Sequence, residues 1–316
     1  MNNPLISVII PCYNASKYVE KAVRSIMEQT YTNLEIIITD DYSTDTTLSI
    51  LEKLACEDKR IKIIKNTENL KIVKTLNKML DIANGKYIAR MDADDLSLPE
   101  RIAKQVAFLE SNPDYVMCGT NAWHINENGK KIGKSTLPLT YEDNRFFLSY
   151  YSTFYHPTVM IKSEVYKNNK YDEKFIYAED YELWCRIVFK EKLKVYNLNE
   201  KLFKYRILKA QSSNIHSSEQ VKCSASIFDK YNVDGLNATM HKNIYFLHDQ
   251  NIENELAYVK QQLKLLSKKQ FQYSYECFHK LFFHIFRRYS KKDLFLLLCN
   301  SNGARTIIKL FLTKRG

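Results

Sequence analysis

Glycine and proline are scarce in this sequence, which has seven glycines and six prolines among 316 residues. It contains neither a GxGxxG nor a GxxxxGK(S/T) loop, which argues against a dinucleotide-dependent dehydrogenase and a P-loop NTPase. No run approaches the roughly 18 apolar residues of a membrane-spanning helix. The opening "MNNPLISVII" lacks a basic start before its apolar run, so we expect no secretory signal.

Cysteine is present but unpatterned. The seven cysteines are dispersed, and none lies in a CxxC pair. An odd number without metal-ligand spacing predicts reduced, buried thiols in a cytoplasmic protein, not a disulfide framework or a zinc site.

Positive charge is concentrated near the end of the chain, although the formal net charge is +11 overall. Residues 1–216 have 31 Lys and Arg against 28 Asp and Glu, whereas residues 217–316 have 16 against 8. The last part reads as helical, and 280–316 mixes basic residues with large apolar ones. This pattern favours contact with an anionic membrane surface over nucleic-acid binding. A packed helical subdomain or a dimer seam is the alternative and is preferred for 250–270; the oligomeric state is not indicated.

The first 120 residues alternate between short apolar runs and segments with helical periodicity. The runs "LISVIIPCYN", "LEIIITDD", "RIKIIKN" and "KYIARMD" are typical of buried strands, and each is followed by a helical segment. This alternation predicts an α/β fold with a doubly wound, mostly parallel sheet and helices on both faces. Further along, "KVYNL" and "LFKYRI" predict two short strands, and Ser97 with Glu100 predicts a capping box.

Three carboxylates crowd the end of the fourth predicted strand. The stretch "ARMDADDLSLPERI" places Asp92, Asp94 and Asp95 within four positions. Like charges this close raise each other's pKa unless a cation lies among them. Asp-x-Asp supplies the hard oxygen ligands that Mg²⁺ and Mn²⁺ prefer. An acidic turn before a helix is the alternative, but a second pair, Asp40 and Asp41, follows the second strand, and ligands of such sheets bind at the strands' carboxyl ends.

Two long stretches resemble one enzyme family. "ISVIIPCYNASKYVEKAVRSIMEQTYTNLEIIITDDYSTDTT" and "NGKYIARMDADDLSLPERI" are similar to GT-A glycosyltransferases of family 2, over about residues 4–210. The resemblance implies an inverting transfer of a sugar from a nucleoside diphosphate sugar, with a divalent metal on the diphosphate. It implies a GT-A catalytic domain at 1–216, with a nucleotide-binding half (1–115) and an acceptor half (116–216), and leaves 217–316 as a helical extension.

The resemblance also implies a set of residues around the nucleotide sugar: Pro11, Tyr13, Asn14, Asp41, Lys71, Asp92 and Asp94. Asp41 would accept a hydrogen bond from the uracil imide and Asp92 would contact the ribose. Asp94 would bind Mn²⁺ or Mg²⁺, with Asp95 as a second ligand. For Lys71, a solvated position on its helix is the alternative.

In the acceptor half, Glu179 and Asp180 match the Glu-Asp pair of the family, and Asp180 is the candidate base that deprotonates the acceptor hydroxyl. The alternative is a pair of acids favoured at a helix N-terminus. His156, Glu179, Trp184 and Arg186 are the candidate acceptor-side residues, although Trp184 also suits a core position and His156 a structural one.

The chain departs from the family pattern at Leu208, where many relatives have a histidine near the diphosphate. Arg206 or Lys209 is the candidate replacement. His216 lies too far along the chain to be taken as its equivalent.

These features favour a transferase that moves a hexose, with glucose or galactose as the guess, from a UDP-sugar to a lipid-linked saccharide. A polyprenyl diphosphate acceptor, a β-linkage and a role in O-antigen or capsule synthesis follow from family habit. The expected location is the cytoplasmic face of the bacterial inner membrane, as a peripheral protein. A sugar nucleotidyltransferase is the alternative enzyme, but it would normally show a glycine-rich loop. A non-catalytic binding module would tolerate loss of the acidic motifs, and both are present.

Overall fold

The computed structural model of the protein describes residues 3–149, 151–208 and 217–231. The chain divides into two compact units, residues 1–220 and 221–316. The strands are β1 Ile6–Cys12, β2 Leu34–Asp40, β3 Ile61–Lys65, β4 Tyr87–Arg90, β5 Leu96–Ser97, β6 Tyr115–Ile125, β7 Lys131–Lys134, β8 Met160–Lys162 and β9 Lys194–Arg206. The helices are α1 Val19–Met27, α2 Thr47–Glu57, α3 Lys71–Ile82, α4 Arg101–Ser111, α5 Tyr141–Phe147, α6 Ser163–Asn168, α7 Glu179–Cys185 and α8 Ser217–Tyr231.

The nine strands form one mixed sheet in the order β3-β2-β1-β4-β8-β6-β9-β5, with β7 paired to β6. Strands β1 to β4 are parallel, as the alternating pattern predicts, and β6 and β9 pair parallel to each other. Strand β8 is antiparallel to both β4 and β6. The predicted α/β fold class is confirmed, and the sheet is mixed, with four parallel and four antiparallel strand pairings.

The core lies between this sheet and its helices. Every residue of β1 and of β2 is buried, which requires cover on both faces and explains why these strands read as continuous apolar runs. Helix α1 buries Val19, Ala22, Val23 and Ile26, which lie on one face at helical spacing. The rigid centre of the sheet therefore fixes where β1, β2 and β4 end.

Two predictions of local structure are wrong. "KVYNL" and "LFKYRI" belong to the single 13-residue strand β9, which pairs with β6 through several register shifts. Ser97 does not cap α4, because its backbone pairs with Phe203 of β9 and its hydroxyl accepts a hydrogen bond from Gln29 Nε2 at 3.2 Å.

Five cysteines lie in the described ranges, and none of them is in a disulfide. Cys12, Cys118 and Cys185 are buried as predicted, whereas Cys56 is exposed. Among the helices that the structure describes, none is both long and apolar enough to cross a bilayer. Lys209, His216, 250–270 and 280–316, about which the sequence makes predictions, lie outside the described residues.

Candidate active site

The carboxyl ends of β1, β2 and β4 lie side by side. Cys12 pairs with Asp40, and Ile9 pairs with Arg90, so the loops that follow these strands emerge at one edge of the sheet. The nucleotide-side residues predicted from the sequence come from the end of β1, from these loops and from the start of α3.

The acidic cluster is a compact group of oxygens. Side-chain oxygens of Asp92, Asp94 and Asp95 all lie within 4.8 Å of one another. Burial and the charge of Asp92 raise the pKa of Asp94 to about 6, and burial together with both neighbouring carboxylates raises the pKa of Asp95. The Oδ2 atom of Asp95 is buried and has no hydrogen-bond partner in the described ranges. Hard oxygen donors with an unpaired member fit a divalent cation such as Mn²⁺ or Mg²⁺.

Arg90, the last residue of β4, supplies one counter-charge. Its side chain is buried, and its Nη2 donates to Asp92 Oδ1 at 2.6 Å. Its own carbonyl oxygen accepts from Nη2 of the buried Arg101 at 2.8 Å. Asp92 is therefore held in place from the sheet side. Arg90 stands two positions before Asp92 in the sequence, and a basic residue ending a buried strand was the signal that could have identified it.

Arg206, the last residue of β9, fixes the other two acids. Its backbone N–H donates to Asp95 Oδ1 at 2.6 Å, and its Nε donates to the carbonyl oxygen of Asp94 at 2.6 Å. Its Nη1 donates to the carbonyl oxygens of Asn126 and Glu127, both at 2.9 Å. The guanidinium of Arg206 thus holds the loop of the acidic cluster, and the suggestion that Arg206 replaces the missing histidine at the diphosphate stays a prediction.

Arg206→Met should lower the free energy of unfolding by about 2–4 kcal/mol, because it removes charge-assisted hydrogen bonds and the stacking of the guanidinium on Tyr18 at 4.4 Å. Urea denaturation measures this. Arg24→Met is the matched control, since Arg24 makes only surface ion pairs with Glu20 and Glu57 and should cost less than about 1 kcal/mol. Equal losses for the two variants would contradict the assignment.

Asp41 is buried and accepts three hydrogen bonds around the start of α3. Its Oδ1 accepts from Leu70 N and Asn66 Nδ2, both at 2.8 Å, and its Oδ2 accepts from Lys71 N at 2.9 Å. Each carboxylate oxygen has two lone pairs, so Oδ2 has capacity for one more donor. The bond from a uracil imide to Asp41 stays a prediction. The Lys71 side chain is exposed, which agrees with the solvated position given as its alternative.

The loop after β1 contains the other nucleotide-side residues. Pro11 is buried within β1, and Tyr13 is 51% exposed. Asn14 has a positive φ angle of 47°, and its Oδ1 accepts a hydrogen bond from Thr44 N at 2.8 Å. The structure thus brings Pro11, Tyr13 and Asn14 next to the loop that follows Asp41.

Glu179 and Asp180 open α7. Glu179 is buried, and its Oε2 has no hydrogen-bond partner among the residues that the structure describes. Asp180 is partly exposed, and its Oδ1 accepts from Tyr181 N at 2.7 Å. Burial raises the pKa of both acids, and the positive charge of Arg90 opposes the rise in each case. The charge of Arg90 therefore acts on this acidic pair as well as on Asp92.

The buried Glu179 predicts a pH-dependent stability. Burial and the charge of Asp180 raise its pKa from 4.5 to about 7, so the folded protein holds this proton more tightly than the unfolded chain does. Stability is then lost as pH rises from about 4.5 to 7. Glu179→Gln should stabilise the protein at pH 8 by on the order of 2–3 kcal/mol and hardly at all at pH 4.5. Urea denaturation at both pH values tests this, and an equal effect at both would refute it.

The next acceptor-side candidate, His156, belongs to a hydrogen-bonded group with two tyrosines. His156 Nε2 is hydrogen-bonded to Tyr171 Oη at 2.6 Å, and Tyr171 Oη also bonds Tyr166 Oη. Burial and the charge of Arg90 hold the pKa of His156 well below its usual range, so the ring is neutral. The two tyrosines were not identified from the sequence.

Trp184 has the core position that was the alternative for it, and the acceptor-side role of Trp184 and Arg186 stays a prediction. Trp184 is fully buried and packs against His156 and Phe154. The Arg186 guanidinium donates to Glu182 Oε2 at 2.8 Å and to the carbonyl oxygen of Lys170 at 2.7 Å. Both side chains thus belong to the packed structure of α7 and of the helical turn that follows it.

Residues 7–169, more than half of the chain, match Glycosyl transferase family 2. The chain belongs to this family. An uncharacterised glycosyltransferase of Haemophilus influenzae is 34% identical over 307 residues, which cover 85% of this chain and 94% of the relative. The family assignment confirms the resemblance inferred from the strand-end motifs.

Two further matches are a relative found by sequence and a solved structure. The UDP-Glc:alpha-D-GlcNAc-diphosphoundecaprenol beta-1,3-glucosyltransferase WfgD of Escherichia coli is 28% identical over 214 residues, covering 68% of this chain and 81% of WfgD. The mannosyltransferase PcManGT of Pyrobaculum calidifontis, solved with GDP-Man and Mn²⁺, matches with a TM-score of 0.59 at 17% identity, covering 100% of this chain and 89% of that chain. The structural match shows the GT-A fold.

Proposed function

We propose that this family 2 glycosyltransferase moves a hexose from a UDP-sugar to a hydroxyl of a lipid-linked saccharide, with inversion to a β-linkage. The observation that supports this most directly is the compact Asp92–Asp95 cluster, which is paired with Arg90 at 2.6 Å, while the charge of Arg90 also opposes the rise in the pKa of Glu179 and of Asp180. This electrostatic link between the proposed donor site and the candidate base supports their use in one reaction. The name of WfgD, with its UDP-glucose donor and diphosphoundecaprenol acceptor, supports this donor and acceptor class.

In the proposed reaction Asp180 takes the proton of the acceptor hydroxyl as its oxygen forms a bond to the anomeric carbon. The bond from that carbon to the diphosphate oxygen breaks, and UDP departs with the electron pair on the opposite side. Asp94 and Asp95 would hold a divalent cation, which supplies positive charge to the departing diphosphate when bound. Asp92, fixed by Arg90, would orient the ribose.

A panel of nucleotide sugars tests this assignment. UDP-glucose and UDP-galactose with Mn²⁺ should raise the melting temperature, since a ligand that binds only the folded state stabilises it by mass action. Product analysis with a synthetic GlcNAc-diphospholipid should then show transfer of one hexose. Stabilisation by GDP-mannose in place of UDP-sugars would overturn the choice of nucleotide, and failure with every nucleotide sugar would overturn the function.

We also propose that residues 280–316 attach the enzyme to the cytoplasmic face of the bacterial inner membrane. This segment has nine basic residues and one acid. Each basic residue near an anionic surface contributes about 1 kcal/mol, so the surplus suffices for reversible binding.

Full-length protein in which Arg287, Arg288, Lys291 and Lys292 are replaced by Gln should lose most of its co-sedimentation with anionic vesicles at low salt. Its UDP affinity should not change. The wild type should also dissociate at high salt, because screening shortens the range of the attraction. Equal partitioning of both proteins would show that these residues do not bind the membrane.

A further inference from the structure

Strained backbone follows three neighbouring parallel strands. Asn14 after β1, Tyr42 after β2 and Lys71 after β3 have positive φ angles of 47°, 66° and 66°. This region is unfavourable for residues other than glycine, and most of all for bulky ones. Such strain persists where neighbouring contacts fix it, and it clusters at binding sites.

Hydrogen bonds between the loops hold this conformation. Asn14 N donates to Ser43 Oγ at 3.0 Å, and Thr44 N donates to Asn14 Oδ1 at 2.8 Å. Asp41 Oδ2 accepts from Lys71 N at 2.9 Å. The three loops therefore brace one another, and Tyr42 is fixed in the middle one.

The strained backbone of Tyr42 places its ring at the protein surface. It is 54% exposed, and Tyr13, in the loop after the adjacent strand, is 51% exposed. A glycine at position 42 would remove the backbone strain and the exposed apolar surface together. Two half-exposed aromatic rings, one in the loop after β1 and one directly after Asp41, offer flat apolar surfaces to a planar ligand.

We propose that Tyr42 is a nucleobase-stacking residue that acts together with Tyr13 in binding the donor. This rests on the proposed use of a nucleoside diphosphate sugar at this edge of the sheet. Stacking depends little on which base is present. Tyr42 thus contributes affinity for the nucleoside, while hydrogen bonding at Asp41 selects the base.

Calorimetric titration of the full-length protein with UDP and Mn²⁺ tests the proposal. Tyr42→Asn removes the ring and keeps a residue that tolerates positive φ, so it should weaken UDP binding by about 5- to 100-fold. Tyr42→Phe keeps the ring and should stay within about twofold of the wild type. Affinity for pyrophosphate with Mn²⁺, which lacks a base, should be the same in all three proteins.

Lys192→Asn is the matched control, since Lys192 also has a positive φ angle, 55°, but lies in the turn before β9. It should bind UDP as the wild type does, and Tyr42→Asn should melt no lower than the wild type. Equal UDP affinity of wild type and Tyr42→Asn would overturn the role of Tyr42, as would an equal loss for pyrophosphate. A wild type that binds no nucleoside diphosphate would instead overturn the proposed function.

Discussion

Asp180→Asn should lower turnover by about 10²- to 10⁴-fold, the usual contribution of a positioned general base. Asparagine keeps the shape of the side chain, and its amide oxygen can still accept the hydrogen bond that Asp180 Oδ1 now receives from Tyr181 N at 2.7 Å. Only the basicity is lost. Steady-state kinetics with a lipid-linked acceptor should therefore show a fall in kcat, while calorimetry shows an unchanged affinity for the donor.

The control for this prediction is Glu173→Gln, which neutralises an exposed acid six positions before Glu179. It should retain full activity, because its only close cation is Lys74 at 3.8 Å among the ion pairs that the structure describes. Near-normal turnover of Asp180→Asn would show that Asp180 is only an acid that stabilises the helix N-terminus and is not the base. Glu179 would then become the candidate base, since burial already keeps its pKa near neutrality.

The parallel half of the fold could be predicted because its strands are buried on both faces and therefore read as unbroken apolar runs. The long strand β9 could not. Its centre, Asn199 to Lys201, is polar and resembles a turn, yet this part of β9 stays in the sheet where the register with β6 shifts. Pairing with a distant strand decided the local structure against the local pattern.

The site divides in the same way. The carboxylates could be predicted because they are neighbours in sequence, but the residue that holds Asp95, Arg206, lies 111 positions away. No local pattern connects the two. For α7 the difficulty was the opposite: six of its seven residues are buried, so helical spacing does not distinguish Trp184 in the core from a residue that faces a ligand.

Asp94→Ala should abolish the dependence of UDP binding on Mn²⁺. Loss of residues that merely orient metal ligands costs roughly 10- to 100-fold in metal affinity, so loss of a ligand should cost at least about 100-fold. Four calorimetric titrations, wild type and variant with and without Mn²⁺, measure the effect. Asp114→Ala is the control, because this acid is exposed and, within the described part of the chain, its ion pair is with Lys194 at the surface, at 3.2 Å.

The same variant should be more stable than the wild type when no metal is added. Burial and Asp92 raise the pKa of Asp94 from 3.8 to about 6, so the wild type loses stability as pH rises through this interval. At pH 8 Asp94→Ala removes that unfavourable charge, and its melting temperature should rise in EDTA. Mn²⁺ should raise the melting temperature of the wild type but not of the variant. A variant that melts lower under both conditions would show a structural role for Asp94. Equal UDP affinity in all four titrations would show that the cluster is an acidic turn that binds no metal.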